Sequence, residues 1–214
     1  EDGFPGNLEL TVRYTLTDEN ALVLDYTATT DAPTIINLTN HSYFNLEGQS
    51  SGSMLEQTLC LNASTFTEGN AETCPTGRIL PVAGTPMDFT RAKPIGRDIQ
   101  AEYSQLQMCG GYDHNFILDK EPGMLALAAV ARSEKTGITM ETYTTQPGVQ
   151  LYTSNSLQND TRPGKTGGIY GRYQGFCLET QHYPCTPSHP EFPSVELRPG
   201  EEYHETTIYK FLTE

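Results

Sequence analysis

A histidine surrounded by amide side chains occurs in the segment NLTNHSYFNLEG. Imidazole exchanges protons near neutral pH, so His41 is a candidate general acid or base. The side chains of Asn37, Asn40, Asn45 and Ser42 are candidate hydrogen-bond partners that would orient the ring. The alternative is a histidine without a chemical role, either hydrogen-bonded in the core or exposed on the surface.

Two carboxylates occupy positions that suit acid–base chemistry. Glu179 follows three apolar residues in the segment GFCLETQHYP. Burial at the end of a strand would raise the pKa of its carboxyl group, which makes Glu179 a candidate general base. The alternative is a glutamate on the solvent face of an edge strand. Asp113 follows two glycines in CGGYDHNF, where it is either a binding residue or a satisfied turn residue.

Spacings typical of metal sites are absent from the sequence. The histidines form no HxH or HxxxH pair, and the cysteines form no CxxC pair. We therefore expect no metal site. Wide cysteine spacing predicts that all five thiols are free, as in a reducing compartment. We expect Cys177 in particular to point into the core beside Phe176 or Leu178.

Alternating apolar residues predict the strands that must carry these side chains. Residues 8–16 and 22–28 alternate on either side of the turn TDEN, which indicates a β-hairpin with one buried face. Residues 125–144 repeat this pattern around SEKTG, and residues 194–212 repeat it around RPGEE. The segments GVQLYTS and GFCLETQ are short strand candidates, and residues 97–107 have the composition of a short helix.

The number and spacing of these strands predict an all-β fold built as an antiparallel β-sandwich. Neither an internal repeat nor a linker divides the sequence. We therefore predict one domain over residues 1–214, in which residues 159–175 form a long internal loop.

The charge of the chain limits its partners. The 214 residues carry a formal net charge of −14 at pH 7. Such a field repels phosphate backbones, so no nucleic-acid partner is expected. No apolar run reaches the roughly 18 residues of a membrane-spanning helix, so no membrane partner is expected. We predict a cytoplasmic location, although the opening EDGFPGN leaves room for a leader that has been removed.

Four segments of the chain together resemble the aldose 1-epimerase family. They are NLTNHSYFNL, GGYDHNF, TTQPGVQLYT and GFCLETQHYP with the LRPGEEY that follows it, and they occur in the family order. The first of them is highly specific. The resemblance runs from GFPGNLELTVRYTLTDEN to the end of the chain. It implies the large antiparallel β-sandwich of the galactose mutarotase type, a free hexose as substrate, and no cofactor.

The resemblance also implies a role for each matching residue. His41 corresponds to the general acid and Glu179 to the general base that together open the sugar ring, so that the α and β anomers interconvert. Galactose and glucose are the implied hexoses. Contacts with the sugar are implied for Ser42, Tyr43, Asp113 and Gln150.

The family sequence has a further region, roughly a third of its length, upstream of the segment GFPGN. That region supplies an arginine and a second histidine to the sugar site. The resemblance therefore implies that the first strands of the sandwich are missing from this sequence and that sheet edges and apolar surface are exposed. We expect self-association or pairing with the missing segment. An active epimerase and a non-catalytic or weakly active sugar-binding fragment stay open as alternatives.

Overall fold

A computed structural model describes residues 3–157 and 162–213 of the chain. Almost all of its regular structure is β-strand, which confirms the predicted all-β class. In chain order the strands are β1 (Leu8–Leu16), β2 (Ala21–Thr30), β3 (Thr34–Ile35), β4 (Thr58–Leu61), β5 (Thr65–Gly69), β6 (Pro75–Pro81), β7 (Lys93–Pro94), β8 (Asp113–Ile117), β9 (Ala126–Arg132), β10 (Ile138–Thr144), β11 (Gly148–Tyr152), β12 (Cys177–Gln181), β13 (Glu196–Leu197) and β14 (Tyr203–Thr213).

The strands form two large sheets and one small sheet, and the strand pairings are antiparallel. The seven-stranded sheet has the order β1-β2-β14-β10-β9-β4-β7. The five-stranded sheet has the order β12-β11-β8-β5-β6, and β13 pairs with β3 in a sheet of two strands. Side chains from both large sheets enter one hydrophobic core, so the fold is the predicted antiparallel sandwich.

The core between the sheets is built from side chains that recur at every second position of a strand. Leu24 and Met140 enter it from the seven-stranded sheet, and Phe116, Leu151 and Leu178 enter it from the five-stranded sheet. Full burial of side chains of this kind contributes about 1.5–3 kcal/mol each relative to exposure. The residues that alternate with them on the five-stranded sheet point away from the core, toward the face that carries the candidate site.

Three buried threonine hydroxyls join the two large sheets. Thr180 Oγ1 on β12 lies 2.6 Å from Thr207 Oγ1 on β14, and Thr207 Oγ1 lies 3.1 Å from Thr144 Oγ1 on β10. Because a hydroxyl both donates and accepts, the three groups can satisfy one another inside the core. The chain of hydroxyls fixes the position of β12 against the opposite sheet.

The predicted hairpin of β1 and β2 forms, but the prediction of a buried face is wrong for β1. The register pairs Tyr14 with Leu24 and Val12 with Tyr26. Cross-strand partners point to the same side of a sheet. Leu24 and Tyr26 are nevertheless buried, whereas Tyr14 and Val12 are 63% and 36% exposed. The β1 row is the set of exposed apolar side chains Leu8, Leu10, Val12, Tyr14 and Leu16.

The cause of this exposure is the place of β1 in the fold. β1 is the edge strand of the seven-stranded sheet, and its apolar side chains are not part of the hydrophobic core that the two large sheets share. Among the residues that the structure describes, none buries the β1 row. Alternation along the chain gives the direction of a side chain, but burial also requires a partner across the core.

The other strand predictions have mixed outcomes. The predicted hairpin over residues 125–144 forms as β9 and β10, and the two short strands form as β11 and β12. The predicted hairpin over residues 194–212 is wrong, because β13 pairs with β3 while β14 pairs with β2 and β10. With hydrogen-bond partners on both of its edges, β14 has no free edge for β13.

The predicted short helix is displaced along the chain. Helix α1 (Ser104–Cys109) begins later than the predicted range 97–107 and ends at Gly110, which has the left-handed φ of 64° that favours glycine as a helix stop. In residues 3–157 and 162–213, no helix has the length and hydropathy of a membrane span. The predicted loop 159–175 is described from residue 162, and its first residues lie outside the described ranges.

We expect Leu24→Ala to lower the free energy of unfolding by about 2–5 kcal/mol, because it leaves a cavity in the core. Its cross-strand partner Tyr14 provides a matched control. Tyr14→Ala removes an exposed side chain and is expected to change the free energy of unfolding by no more than about 0.5 kcal/mol. Urea unfolding followed by circular dichroism, at a protein concentration low enough to keep the chain monomeric, measures both. A comparable cost for the two variants would contradict the exposure of the β1 row.

Candidate active site

Strand β12 presents its side chains alternately to the core and to the outer face of the five-stranded sheet. Leu178 belongs to the core, and Thr180 contacts Thr207 of the opposite sheet. Cys177 and Glu179 therefore lie on the outer face. Although this face is not the core, only 11% of the Glu179 side chain is exposed. The predicted alternative of a solvent-facing glutamate does not describe it.

Strand register places two rows of side chains across β12, β11 and β8 on this outer face. The first row consists of Glu179, Gln150 and Asn115. The second row consists of Cys177, Tyr152 and Asp113. The sheet thus brings together residues that are more than sixty positions apart in the sequence.

The loop that carries His41 is fastened to the start of β12. Phe44 and Phe176 exchange two backbone hydrogen bonds, with N···O distances of 2.8 and 2.9 Å. His41 lies three residues before this contact, in a segment without regular secondary structure. The backbone contact places its side chain over the outer face of β12.

The asparagines around His41 hold the loop rather than the imidazole. Asn37 exchanges two 2.9 Å hydrogen bonds with the backbone of His182. The Nδ2 of Asn40 donates to the Tyr209 hydroxyl at 3.0 Å, and Asn45 donates to two backbone carbonyls. The expectation that these amides orient the ring is therefore wrong. Their role is to satisfy the backbone of an irregular loop and to tie it to the sandwich.

The imidazole of His41 instead contacts two side chains of β12 and two tyrosines. Its Nε2 lies 3.2 Å from Oε1 of Glu179, and its Nδ1 lies 3.4 Å from Sγ of Cys177. The ring of Tyr43 stacks on it with a centroid distance of 5.0 Å, and Tyr152 meets it edge-on at 5.7 Å. About half of the His41 side chain, 52%, stays exposed to solvent.

The prediction that Cys177 points into the core is wrong. Its thiol is fully buried, but it faces the same side as Glu179, because Leu178 takes the core side of the strand. The Cys-x-Glu spacing is the signal that could have shown this, since residues two apart on a strand share a face. All five cysteines are free, as predicted.

Asp113 and Gln150 form a hydrogen-bonded pair beside Glu179. The Nε2 of Gln150 donates to Oδ1 of Asp113 at 2.8 Å. Three buried atoms next to this pair have no hydrogen-bond partner among the described residues: Nδ2 and Oδ1 of Asn115, and Oε1 of Gln150. Buried polar atoms are usually satisfied, so these three atoms are an exception on the face that carries the candidate site. Sequence reasoning missed Asn115, which lies two residues after Asp113 on the same strand.

The other two predicted contact residues lie on the His41 loop. Tyr43 is exposed, and besides stacking on His41 it lines a cavity of ≈ 550 Å³ together with Phe44 and Tyr170. This cavity lies beside His41 and Glu179, which do not line it. Ser42 is exposed next to His41, and no hydrogen bond joins its side chain to the described part of the site.

The buried position of Glu179 changes its acidity. Burial is the main cause that raises its pKa to about 7, the charge of His41 opposes this effect, and the charge of Asp113 adds to it. Burial likewise raises the pKa of Asp113, against the hydrogen bond from Gln150. A carboxyl group with a pKa near 7 gains and loses a proton readily at neutral pH, which is the property required of a general base.

The same three groups contain the donor atoms of a metal site, but their contacts with one another are those of hydrogen-bonded groups. One atom each of His41, Cys177 and Glu179 lies within 4.8 Å of the others. An ion binds one nitrogen of an imidazole, whereas here the thiol contacts Nδ1 and the carboxylate contacts Nε2. The arrangement fits proton exchange through hydrogen bonds.

The sequence model of the aldose 1-epimerase family matches residues 1–210. The chain belongs to the aldose 1-epimerase family. It is 43% identical to the galactose mutarotase of Rattus norvegicus over 211 residues, which are 99% of this chain and 59% of that protein. It is 38% identical to the aldose 1-epimerase of Escherichia coli K12 over 216 residues, which cover 100% of this chain and 61% of that protein. The chain thus spans about three fifths of the length of these relatives.

Solved structures give the same family and fold. An aldose epimerase homologue from C. elegans superposes with a TM-score of 0.86 at 32% identity, covering 99% of this chain and 62% of that one. A galactose 1-epimerase from Lactobacillus acidophilus superposes with a TM-score of 0.82 at 30% identity, covering 98% of this chain and 58% of that one. The sandwich of this aldose 1-epimerase family member is therefore a known architecture.

We expect Asp113→Asn to lower the pKa of Glu179 below its value of about 7, because the negative charge of Asp113 disfavours the Glu179 carboxylate. The measurement is a pH titration of the carboxyl carbons by ¹³C NMR. Asp119→Asn, which removes a carboxylate outside the site, is the control and should leave the titration midpoint unchanged. A midpoint for Glu179 that rises in Asp113→Asn would contradict this electrostatic description.

Proposed function

We propose that this protein interconverts the α and β anomers of a free hexose, galactose or glucose, as an aldose 1-epimerase. The observation that carries the proposal is the 3.2 Å contact between Nε2 of His41 and Oε1 of Glu179. The reaction needs a base for the anomeric hydroxyl and an acid for the ring oxygen. These two oxygens are bonded to the same carbon, so the groups that serve them must be close neighbours.

In this proposal Glu179 is the general base and His41 is the general acid. Glu179 removes the proton of the anomeric hydroxyl while the Nε2–H of the His41 imidazolium protonates the ring oxygen, and the bond between C1 and the ring oxygen breaks. Rotation about the C1–C2 bond then turns the opposite face of the aldehyde toward the hydroxyl that will close the ring. Closure reverses both transfers, so each proton returns to the group that gave it.

The polar groups around the pair suit the remaining hydroxyls of a sugar. The Asp113 carboxylate accepts hydrogen bonds, and the Gln150 amide that donates to it lies on the same face. The exposed ring of Tyr43 provides an apolar surface for the C–H face of a pyranose. The hydroxyl of Ser42, exposed beside His41, is the remaining proposed contact.

The direct test of this function is polarimetry on freshly dissolved α-D-galactose and α-D-glucose. The protein should speed the change in optical rotation of both solutions above the spontaneous rate. The alternative of a non-catalytic sugar-binding protein predicts binding without any change in that rate. No observation of this structure favours that alternative, since both members of the acid–base pair are present and in contact.

We expect Glu179→Gln and His41→Ala each to lower kcat by at least about 10²-fold, the usual contribution of a general acid or base. His204→Ala is a matched control, because His204 also contacts a carboxylate, at 2.8 Å from Asp25, and its side chain is similarly exposed. It should retain full activity. Polarimetric kcat and KM values for the three variants give the answer, and full activity in either site variant would remove the proposed role.

We also propose that the β1 row is covered in the functional protein by further strands of the same polypeptide, packed over the apolar side of β1. Apolar side chains on an edge strand attract another strand in water. The matched relatives have sequence outside the aligned region, since this chain covers 59% of the rat protein.

We place the protein in the cytoplasm, where five free thiols stay reduced.

The 214-residue chain alone is then expected to self-associate through the β1 row and to be a weaker catalyst than the longest product of its gene. We expect the rate of mutarotation to be lower by about tenfold or more. This is the effect of losing one charge-assisted hydrogen bond to the sugar, such as one from the upstream arginine or histidine that the family resemblance implies. Size-exclusion chromatography at several concentrations and polarimetry compare the two proteins. Tyr14→Lys, which places a charge in the row, should reduce the association of the short chain. A short chain that is monomeric and fully active would refute this proposal.

A further inference from the structure

We propose that Cys177 is a positioning residue for His41. Its thiol holds the imidazole by Nδ1, so that Nε2 stays directed toward Glu179 and the sugar throughout the reaction. This inference rests on the proposed function of the same site, but the contact that carries it is a property of the structure. The Sγ of Cys177 lies 3.4 Å from Nδ1, on the opposite edge of the ring from the carboxylate contact at Nε2.

The ring needs such an anchor because its other contacts do not fix which edge faces the site. His41 lies on an irregular loop, and half of its side chain is exposed. Tyr43 covers one face and Tyr152 approaches edge-on, but neither contact distinguishes the two nitrogens. Cys177 belongs to β12, which is hydrogen-bonded along β11. A contact with Cys177 therefore fixes the position of the ring relative to the five-stranded sheet.

A thiol suits this position because it both donates and accepts hydrogen bonds, weakly in each case. When the ring is the imidazolium, and after Nε2 has given its proton to the sugar, Nδ1 carries a hydrogen and donates to Sγ. When the neutral ring carries its proton on Nε2, Nδ1 accepts from the S–H. A carboxylate or a carbonyl at this position would only accept, and would favour the imidazolium.

The surroundings keep Cys177 in the thiol form. Burial raises the pKa of the Cys177 thiol, and the charges of Glu179 and Asp113 raise it further. A neutral sulfur that already carries its hydrogen does not take the Nδ1 proton. Proton exchange is therefore confined to Nε2, where the groups facing His41 are Glu179 on β12, Asp113 on β8, and the phenols of Tyr43 and Tyr152.

The first test compares Cys177→Ala with Cys177→Ser by polarimetry. Serine keeps a donor and acceptor at nearly the same size, whereas alanine removes both. We expect Cys177→Ala to lower kcat about tenfold, since a loosely held acid is misaligned. We expect its KM to stay within about twofold of the wild-type value, and Cys177→Ser to keep kcat within about threefold. Equal losses in both variants, or full activity in Cys177→Ala, would overturn the proposal.

A second test does not depend on activity. The ¹⁵N chemical shifts of His41 report the protonation and hydrogen bonding of each ring nitrogen. We expect the Nδ1 shift to change in Cys177→Ala and to return toward the wild-type value in Cys177→Ser. Cys109→Ala is the matched control, because Cys109 lies 4.0 Å from the ring of His114, outside the acid–base pair. It should leave His41 unchanged.

The two tests separate the failure of this inference from the failure of the proposed function. If the wild-type protein does not speed mutarotation, the proposed function fails, and the NMR comparison still decides whether Cys177 holds His41. If mutarotation occurs and the Nδ1 shift is the same in wild type and Cys177→Ala, the positioning role is refuted while the epimerase function stands. Thermal unfolding of each variant confirms that the comparison concerns folded protein.

Discussion

The buried carboxylate of Glu179 is the constraint on which the site depends. A charge on the outer face of a sheet is normally solvated, but only about a tenth of this side chain is exposed, and burial raises its pKa to about 7. A buried carboxylate keeps its position only if the strand that carries it is fixed by other contacts. The core contact of Leu178 and the hydroxyl contact of Thr180 with Thr207 hold β12 from its other side.

The His41 loop is organised around that fixed strand. Its backbone pairs with Phe176, directly before β12, and its asparagines bind the backbone of His182 and the Tyr209 hydroxyl. These contacts lie at both ends of β12. A single strand thus supplies the proposed general base Glu179, the thiol that contacts His41 and the attachment of the loop that carries His41. The amide-rich composition of the loop follows from this attachment, since an irregular backbone needs side-chain partners.

The sequence predicted the parts of the fold that local alternation determines. Strands β9 to β12 follow from apolar residues at every second position between polar turns. These patterns predict burial correctly because each of these strands has a face in the core between the two sheets. The same pattern misled at β1, because alternation gives the direction of Leu10 or Tyr14 but not whether another layer lies over it. It misled again at β13, because strand pairing is decided by competition for free edges, and β14 has both of its edges occupied.

The residues of the candidate site that belong to a recognisable sequence segment could be predicted. Those that reach the site only through the pairing register of two strands could not. His41, Asp113, Gln150 and Glu179 were found from their segments, and the five-stranded sheet and the His41 loop bring them together. Asn115 was missed because only the pairing of β8 with β11 aligns it with Gln150. Cys177 was assigned to the core because buried thiols usually pack there.

The contacts that hold the site in place use groups without charge. Threonine hydroxyls join the two sheets, the amides of Asn37 and Asn40 fasten the loop, and burial keeps the pKa of the Tyr209 phenol above its ordinary value. These groups do not ionise in the pH range where the Glu179 carboxyl group does. The frame therefore keeps the same hydrogen bonds while the Glu179 carboxyl group gains or loses a proton, so the titration of Glu179 does not loosen the scaffold around it.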